Sequence, residues 1–380
     1  MGHHRLNKFK FNFKFAKILY LIVSLLIISL FSASCVGYGS SQSTFEVSGP
    51  VAQNQLNLFN IILALGVIVF IIVEAALIYV IIKFRRKKTD GIPKQTHGNQ
   101  ALEITWTVIP ALILVIAAIP TVSGVFFAAN PPLSADEGAI VVEATGHQWW
   151  FEFRYPNPNN PEEEIVSANE VYIPINEPIK INLESVDVIH SFWVPKLAGK
   201  VDMVPSEGNY MWFQADEPGE YYGQCAEYCG TSHANMKFKV IAVEKSDFDK
   251  WLFEQSKPAL VSTDPLAEEG SATFKSAGCS GCHALKTVVK KGSKGRVGPN
   301  LAHVASRRDL AAGMLDNTDG HGGPVNDGYL QENLRKWIEN PEAIKQGNIM
   351  SAQAAVYTDP DRLLTEKQLS ALVSYLTTLK

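Results

Sequence analysis

Cys225-Ala226-Glu227-Tyr228-Cys229-Gly230-Thr231-Ser232-His233-Ala234-Asn235-Met236 brings two thiols, an imidazole and a thioether into one short stretch, and His190 stands on an earlier run of β-forming residues. Thiolate and thioether donors beside imidazole suit copper better than hard, oxygen-seeking cations. One ion needs fewer ligands than this. Two cysteines four apart in a loop can each bridge a pair of ions, which leaves His190 and His233 as terminal ligands on opposite ions and Met236 and the Glu227 carbonyl as weak ones. Sharing the thiolates spreads one electron over both ions, so little geometry changes on reduction and no open position is left for a substrate. That is the chemistry of an electron carrier. Two Cys and two His also satisfy a structural zinc, but the in-line Met236 and the β-rich, exported context weigh against it.

Around this loop the texture is that of a β domain. Residues 139–145, 147–155, 170–175, 179–184, 190–194, 209–215, 220–223 and 236–243 are short runs rich in β-branched and aromatic residues, broken by Pro, Gly and Asn. Ile179, Ile181 and Leu183 alternate with polar neighbours, as a strand with one buried face requires. Strands at this spacing predict a Greek-key sandwich or barrel over residues 138–245.

On the N-terminal side, two apolar segments, 56–82 and 102–129, predict a transmembrane helical hairpin over 50–130, since a bilayer needs roughly 20 apolar residues. Between them stand Lys83, Arg85, Arg86, Lys87, Lys88 and Lys94 against Asp90. The positive-inside rule puts this connection in the cytoplasm and the β domain outside. Glu74 interrupts the first span; either it faces a protein partner or it sits near a helix end and reaches water. Neither span holds a histidine, so this chain does not itself ligate a membrane-buried haem. Ahead of the spans, Arg5, Lys8, Lys10, Lys14 and Lys17, an apolar run over 18–31, and Ser32, Ala33 and Ser34 have the layout of a secretory signal over 1–34. Cys35 directly after small residues resembles a bacterial lipoprotein processing site and would become the lipidated first residue. Ser32 stands where that signal usually has an aliphatic residue, and the alternative is an uncleaved anchor.

On the C-terminal side, a polar linker over 256–264 leads into a mostly helical region over 262–380. Ser262, Thr263 and Asp264 before Pro265 form a helix start. Thr365 and Gln368 open the last helix in capping-box register, with Leu369, Leu372, Val373 and Leu376 on one stripe. Within this region Cys279-Ser280-Gly281-Cys282-His283 is the attachment motif of c-type haem: two thiols add to the vinyl groups and His283 becomes the proximal iron ligand. A bare C-x-x-C can be a redox dithiol; the histidine that follows favours haem. A later methionine is expected as sixth ligand, where it raises the potential and closes the iron. Met350, after Gly347-Asn348-Ile349 in a loop between helices, is preferred to Met314, which is read as a packing residue on a helix with Leu310. Residues 316–328 read as an added loop without assigned function. Lys286, Lys290, Lys291, Lys294 and Arg296 form either a docking face for an acidic donor or a solvated run.

The five cysteines then divide without remainder into Cys35, the Cys225/Cys229 pair and the Cys279/Cys282 pair, and none is left for a structural disulfide. A length of 380 residues is expected to hold two or three modules. The net charge of −4 provides no basic field of the kind that binds nucleic acid, so that class of partner is set aside.

Residues from about 50 to 245 resemble subunit II of the haem-copper cytochrome c oxidases. The resemblance is carried by the two-helix hairpin, by Gly146–Tyr155 (GHQWWFEFRY), by Asp187–Pro195 (DVIHSFWVP) and by the copper loop. Quinol-oxidising relatives lack the copper ligands, all of which stand here. The resemblance implies a cupredoxin barrel with the dinuclear centre CuA. It makes Trp149 or Trp150 the aromatic through which electrons arrive, strand core being the alternative for either ring. It also lets the Glu227 side chain reach a magnesium ion shared with the catalytic subunit. The C-terminal region is similar to the class I cytochrome c domain fused to subunit II in caa-type oxidases. Gly298-Pro299-Asn300-Leu301 matches the segment whose proline carbonyl receives the N–H of the proximal histidine, while Ser351 departs from the proline often found after the ligand methionine.

The chain is thus expected to be multi-domain: a transmembrane hairpin, an all-β cupredoxin-like Greek-key barrel and an all-α cytochrome c domain. The resemblance implies an electron-transfer subunit of an aerobic oxidase in the bacterial cytoplasmic membrane, with copper and haem domains on the periplasmic face. Electrons would pass from a donor complex, or a soluble cytochrome or cupredoxin, to the haem, then to CuA, then to the haem of subunit I, where oxygen becomes water; subunit III is a further partner. A copper-bearing subunit of a nitric oxide reductase is the nearest rival, separable by the identity of the partner subunit. A copper-delivery or assembly factor is disfavoured by the closed ligand set and the built-in haem.

Overall fold

The computed structural model describes residues 21–29, 40–86, 91–92, 95, 97–132, 139–260, 262–320 and 323–380. Cys35 lies outside the described residues, as do Lys87, Lys88, Asp90 and Lys94 of the charged connection.

After a helical segment over 21–29, two long helices precede the β domain, α1 (Pro50–Lys83) and α2 (Gln100–Ala129), both long and apolar enough to cross a membrane. Pro50 occupies the first turn of α1, where its missing N–H costs nothing. Asn99 caps α2 by accepting from the backbone N–H groups of Ala101 and Leu102. α1 begins six residues before the apolar run because its first turn belongs to the β domain: Val51 and Ala52 are buried, and the Ala52 N–H donates to the Leu197 carbonyl at 3.1 Å. The exit of α2 is held by the same domain, with Trp212 Nε1 donating to Phe127 O and the Tyr210 hydroxyl to Ala129 O, both at 3.1 Å.

The β domain is a sandwich of two sheets. Its strands are β1 (Ile140–His147), β2 (Trp150–Pro156), β3 (Glu163–Ala168), β4 (Glu170–Pro174), β5 (Ile179–Ser185), β6 (His190–Trp193), β7 (Lys200–Met203), β8 (Asn209–Phe213), β9 (Gly219–Cys225) and β10 (Lys237–Val243). One sheet runs β3-β2-β1-β5-β8 and the other β4-β10-β9-β6-β7, with β1–β5 and β4–β10 parallel and the remaining pairs antiparallel. On β5, Ile179, Ile181 and Leu183 are fully buried while Glu184 is exposed, the alternation read from the sequence. Phe151 and Phe153 of one sheet meet Phe192 and Phe238 of the other, with the Phe192 and Phe238 rings 4.5 Å apart. Each ring so buried stabilises the fold by roughly 1.5–3 kcal/mol. Helix α3 (Lys245–Gln255) closes one side by stacking Trp251 on Tyr172 at 4.3 Å.

The C-terminal module is built on α4 (Pro265–Ser276), α5 (Asp327–Glu339) and α6 (Glu366–Thr377). Asp264 caps α4 and the Thr365–Gln368 capping box opens α6, as expected. Leu369, Leu372, Tyr375 and Leu376 are buried, with Tyr375 against Phe274 of α4. Met314 is not helical: a small hairpin, β12 (Asp309–Leu310) and β13 (Leu315–Asp316), replaces that helix. Ala311, Ala312 and Gly313 take positive φ values of 54°, 59° and 82°, which no right-handed helix accommodates.

The two domains share a sheet. Val288–Lys290 of the C-terminal module forms β11, which pairs antiparallel with β3 in the register Val288↔Ile165, Val289↔Glu164 and Lys290↔Glu163. Lys290 in the middle of the positive run is thus part of a strand, while Arg296 turns its guanidinium to the carbonyls of Ser280 and Gly281. Lys286, Lys290, Lys291 and Lys294 are exposed.

Candidate metal centre and haem site

Pairing of β6 with β9 sets Phe192 opposite Cys225 and brings His190, at the head of β6, over the end of β9. The Cys225 N–H donates to the Met236 carbonyl at 2.9 Å and closes the loop on itself. The result is a cluster of soft donors. Cys225 Sγ lies 3.7 Å from Cys229 Sγ, 3.9 Å from His190 Nδ1 and 3.2 Å from the Glu227 carbonyl oxygen. Cys229 Sγ lies 3.5 Å from His233 Nδ1 and 3.9 Å from Met236 Sδ. All six expected donors converge, and Cys225, Cys229, His190 and Met236 are buried. The Glu227 side chain is separate: its carboxylate is 42% exposed and 3.9 Å from Lys200 Nζ.

The sulfur and imidazole groups of this cluster share protons among themselves. A hydrogen bond from Cys229, aided by His190, pulls the Cys225 thiol far below its usual range, and the same contact pushes Cys229 up. At His190, burial opposes charge, but hydrogen bonds with Asp187 and Cys225 outweigh it and the pKa rises. Asp187 was quoted above only as part of a motif; its Oδ1 stands 2.7 Å from His190 Nε2, which leaves Nδ1 for the sulfur side. A carboxylate behind a metal-binding histidine fixes ring orientation and raises ligand basicity. Its position three residues ahead of a candidate ligand histidine was a usable signal.

The two tryptophans part company. Trp149 is 8% exposed and donates from Nε1 to the Cys229 carbonyl at 3.0 Å, where the Gln148 side chain also donates at 2.7 Å. Trp150 is 7% exposed and donates from Nε1 to the Val297 carbonyl of the C-terminal module at 3.3 Å. His147 stacks on Trp150 at 4.1 Å; burial pulls its pKa down to about 4.

In the C-terminal module, Cys279–Cys282 is a single helical turn, which sets both thiols on one segment, and the His283 N–H closes it on the Cys279 carbonyl at 3.0 Å. His283 Nδ1 lies 2.8 Å from the Pro299 carbonyl, so Nδ1 carries the proton and Nε2 is left as a ligand. Gly298 forms the cradle: a Cβ there would lie 2.5 Å from His283 Cε1. Met350 sits not in a loop but in the first turn of a short helix, Ile349–Gln353, whose cap is Asn348. Ser351 donates its N–H to Asn348 Oδ1 at 2.8 Å, a bond that proline at this position would forbid. Its hydroxyl donates to Glu342 at 2.7 Å.

Residues 39–123 match the family described as cytochrome C oxidase subunit II, transmembrane domain, and residues 160–243 its periplasmic domain. Residues 267–380 match the cytochrome c family. A protein of Alkalihalophilus pseudofirmus named cytochrome c oxidase subunit 2 is 40% identical over 359 residues, 93% of this chain and 95% of its own length. The chain belongs to the cytochrome c oxidase subunit II family. Cytochrome c oxidase subunit 2 of Bacillus subtilis is 33% identical over 351 residues, covering 89% of this chain and 92% of that one. The crystal structure of the periplasmic domain of subunit II of cytochrome oxidase of Bradyrhizobium japonicum matches 30% of this chain and 92% of its own at 31% identity, with a TM-score of 0.29. As a subunit II, the chain is a membrane component of an oxidoreductase complex with a domain outside the bilayer; its family domains imply copper and haem. The residues fit both groups: clustered sulfur and imidazole donors for copper, and two thiols, a free imidazole nitrogen and a glycine cradle for haem.

Proposed function

We propose that this subunit II carries electrons from a covalently held haem c to a dinuclear CuA centre, which delivers them to the haem of subunit I for reduction of oxygen to water. The observation that carries this reading is the pair of sulfurs 3.7 Å apart with an imidazole nitrogen beside each, because six converging donors exceed what one tetrahedral ion takes. His190, Cys225, the Glu227 carbonyl, Cys229, His233 and Met236 hold the copper pair. Cys279 and Cys282 would hold the haem covalently, and His283 and Met350 would ligate its iron. When bound, each group supplies a one-electron couple at a closed coordination sphere.

The chain's own residues orient and enclose these groups. Asp187 holds the His190 ring, Pro299 sets the tautomer of His283, and Trp149 ties the Cys229 carbonyl to the barrel. Trp149 or Trp150 is the aromatic through which electrons reach the copper domain. The Glu227 side chain, exposed beside Lys200, would reach a magnesium ion shared with subunit I. The setting is the bacterial cytoplasmic membrane with both cofactor domains on the periplasmic face, Cys35 as a lipid anchor, subunits I and III as partners, and a donor complex or soluble cytochrome or cupredoxin as the source of electrons.

Metal analysis, electron paramagnetic resonance and haem staining of the purified complex test this together. Two copper ions per chain with hyperfine structure from two equivalent nuclei, and a haem that survives denaturation, are expected. One zinc and no bound tetrapyrrole would overturn it.

A further inference from the structure

Lys345 belongs to the haem module, just after the turn Pro341–Ile344 and five residues before Met350, yet its side chain is 4% exposed. Its ammonium crosses to the other domain and donates to the Trp149 carbonyl at 2.6 Å, and within its own module to the Ala311 carbonyl at 3.2 Å. Burying an ammonium on two neutral carbonyls is costly. A residue kept at such cost is better explained by the geometry it imposes than by net stability.

Hydrogen bonds run from Lys345 in both directions. Toward the haem site, the Lys345 carbonyl accepts from Asn348 Nδ2 at 2.7 Å, and Asn348 Oδ1 accepts from the Ser351 N–H at 2.8 Å, which sets the turn bearing Met350. Toward the copper site, Trp149 Nε1 donates to the Cys229 carbonyl at 3.0 Å. Beside Lys345, the Gln346 carbonyl accepts from Ser232 Oγ at 2.5 Å. Gly347, at φ 72°, lies so close that a Cβ there would be 3.2 Å from Thr231 Cβ and 3.5 Å from Trp149 Cη2. The turn that carries Met350 and the loop that carries Cys229 and His233 are thereby in direct contact.

We propose that Lys345 is a positioning residue for internal electron transfer: its ammonium clamps the methionine-bearing turn of the haem module onto the Trp149–Cys229 segment and so sets the separation of the two centres. This rests on the cofactor assignment made above. In the step concerned one electron leaves the ferrous haem and one reduces the oxidised copper pair, and no bond or proton changes hands. Electron transfer between fixed centres slows steeply as their separation grows, so a contact that holds the two modules together governs its rate.

The test uses the full chain in its assembled complex, with Lys345→Met and, as a second variant that keeps an N–H donor, Lys345→Gln. A photoexcited ruthenium complex reduces the haem, and the oxidation of haem by copper is followed optically. Pulsed paramagnetic resonance between ferric haem and oxidised copper reads their separation. Lys345→Met is expected to slow internal transfer severalfold and to broaden the distance distribution, with both cofactor spectra unchanged; Lys345→Gln recovers part of both. Wild-type transfer with a narrow distribution in Lys345→Met overturns the proposal. So does slowing that accompanies loss of the methionine-ligated haem spectrum, and so does failure of both variants to assemble, since Lys345 would then serve ligation or folding. If Lys345→Met alone fails to assemble, a Lys345→Gln variant with wild-type rate and distribution overturns it and a slowed, broadened one supports it. Absence of copper or haem from the wild-type chain overturns the cofactor assignment instead, so the two failures are distinguishable.

Discussion

Asp187 Oδ1 stands 2.7 Å from His190 Nε2, and this contact decides which face of the imidazole is offered to the sulfur cluster. The same carboxylate accepts from the backbone N–H of Gln148 through Oδ2 at 2.7 Å, so the turn bearing Trp149 and the histidine are referenced to one side chain. Asp187→Asn weakens the hold on the ring and lowers its basicity. Copper affinity is expected to fall by about 10- to 100-fold, the usual loss on removing such a partner. Titration against a competing copper chelator checks this; wild-type affinity in the variant would show that Asp187 does not tune the site.

At the haem, the closest steric constraint is Gly298. Gly298→Ala would set a methyl group 2.5 Å from His283 Cε1 and force the ring off the Pro299 carbonyl. Haem attachment through Cys279 and Cys282 is expected to persist, and the low-spin absorption to weaken. A variant with full attachment and an unchanged low-spin band would refute this.

The methionine assignment separates in the same spectrum. Met350→Ala is expected to abolish the methionine-ligated signature, while Met314→Ala, in the β12–β13 hairpin, is expected to retain it. The opposite pattern would exchange their roles.

A pH dependence follows from the seam between the domains. Glu170 of the barrel accepts from the backbone N–H groups of Arg308 and Asp309 at 2.6 and 3.3 Å, and burial, then the neighbouring Asp309 charge, pushes its pKa up from 4.5 to about 8. Across that window the folded state holds a proton that the unfolded chain has released, so stability falls as pH rises, by at most about 1.4 kcal/mol per pH unit. Burial also raises Asp309, with the same sign. Lys345, pushed down to about 7 by burial, acts in the opposite sense above that pH. Protease cleavage at the 256–264 linker is therefore expected to accelerate between pH 5 and 7. Glu170→Gln should flatten that rise; an equally steep rise in the variant would exclude Glu170 as its source.

What could be read from the chain alone were features whose signal is local. The proposed copper ligands carry distinctive atoms at short spacing, the haem-attachment motif is contiguous, and the capping box and the alternation of Ile179, Ile181 and Leu183 each fall within one element. Strand β3 escaped because Glu163, Glu164 and Ser167 break the apolar pattern; Glu164 is buried with the Arg154 guanidinium 3.2 Å from its carboxylate. The helix expected through Leu310 and Met314 failed because i, i+4 apolar spacing says nothing of the positive φ angles at Ala311, Ala312 and Gly313. Lys345 gave no sign at all, since what makes it matter is a carbonyl 196 residues away.

The C-terminal module lends the barrel a strand, Val288–Lys290 against Glu163–Ile165, and for the proposed electron route this would take diffusion out of the hand-off. A mobile carrier must find its acceptor, and that search slows with dilution and with added salt. By the electron route proposed above, each acceptor would be issued with its own carrier already seated, so supply within the chain would not depend on how much carrier the cell makes, and only the loading of the haem from outside would be left to competition.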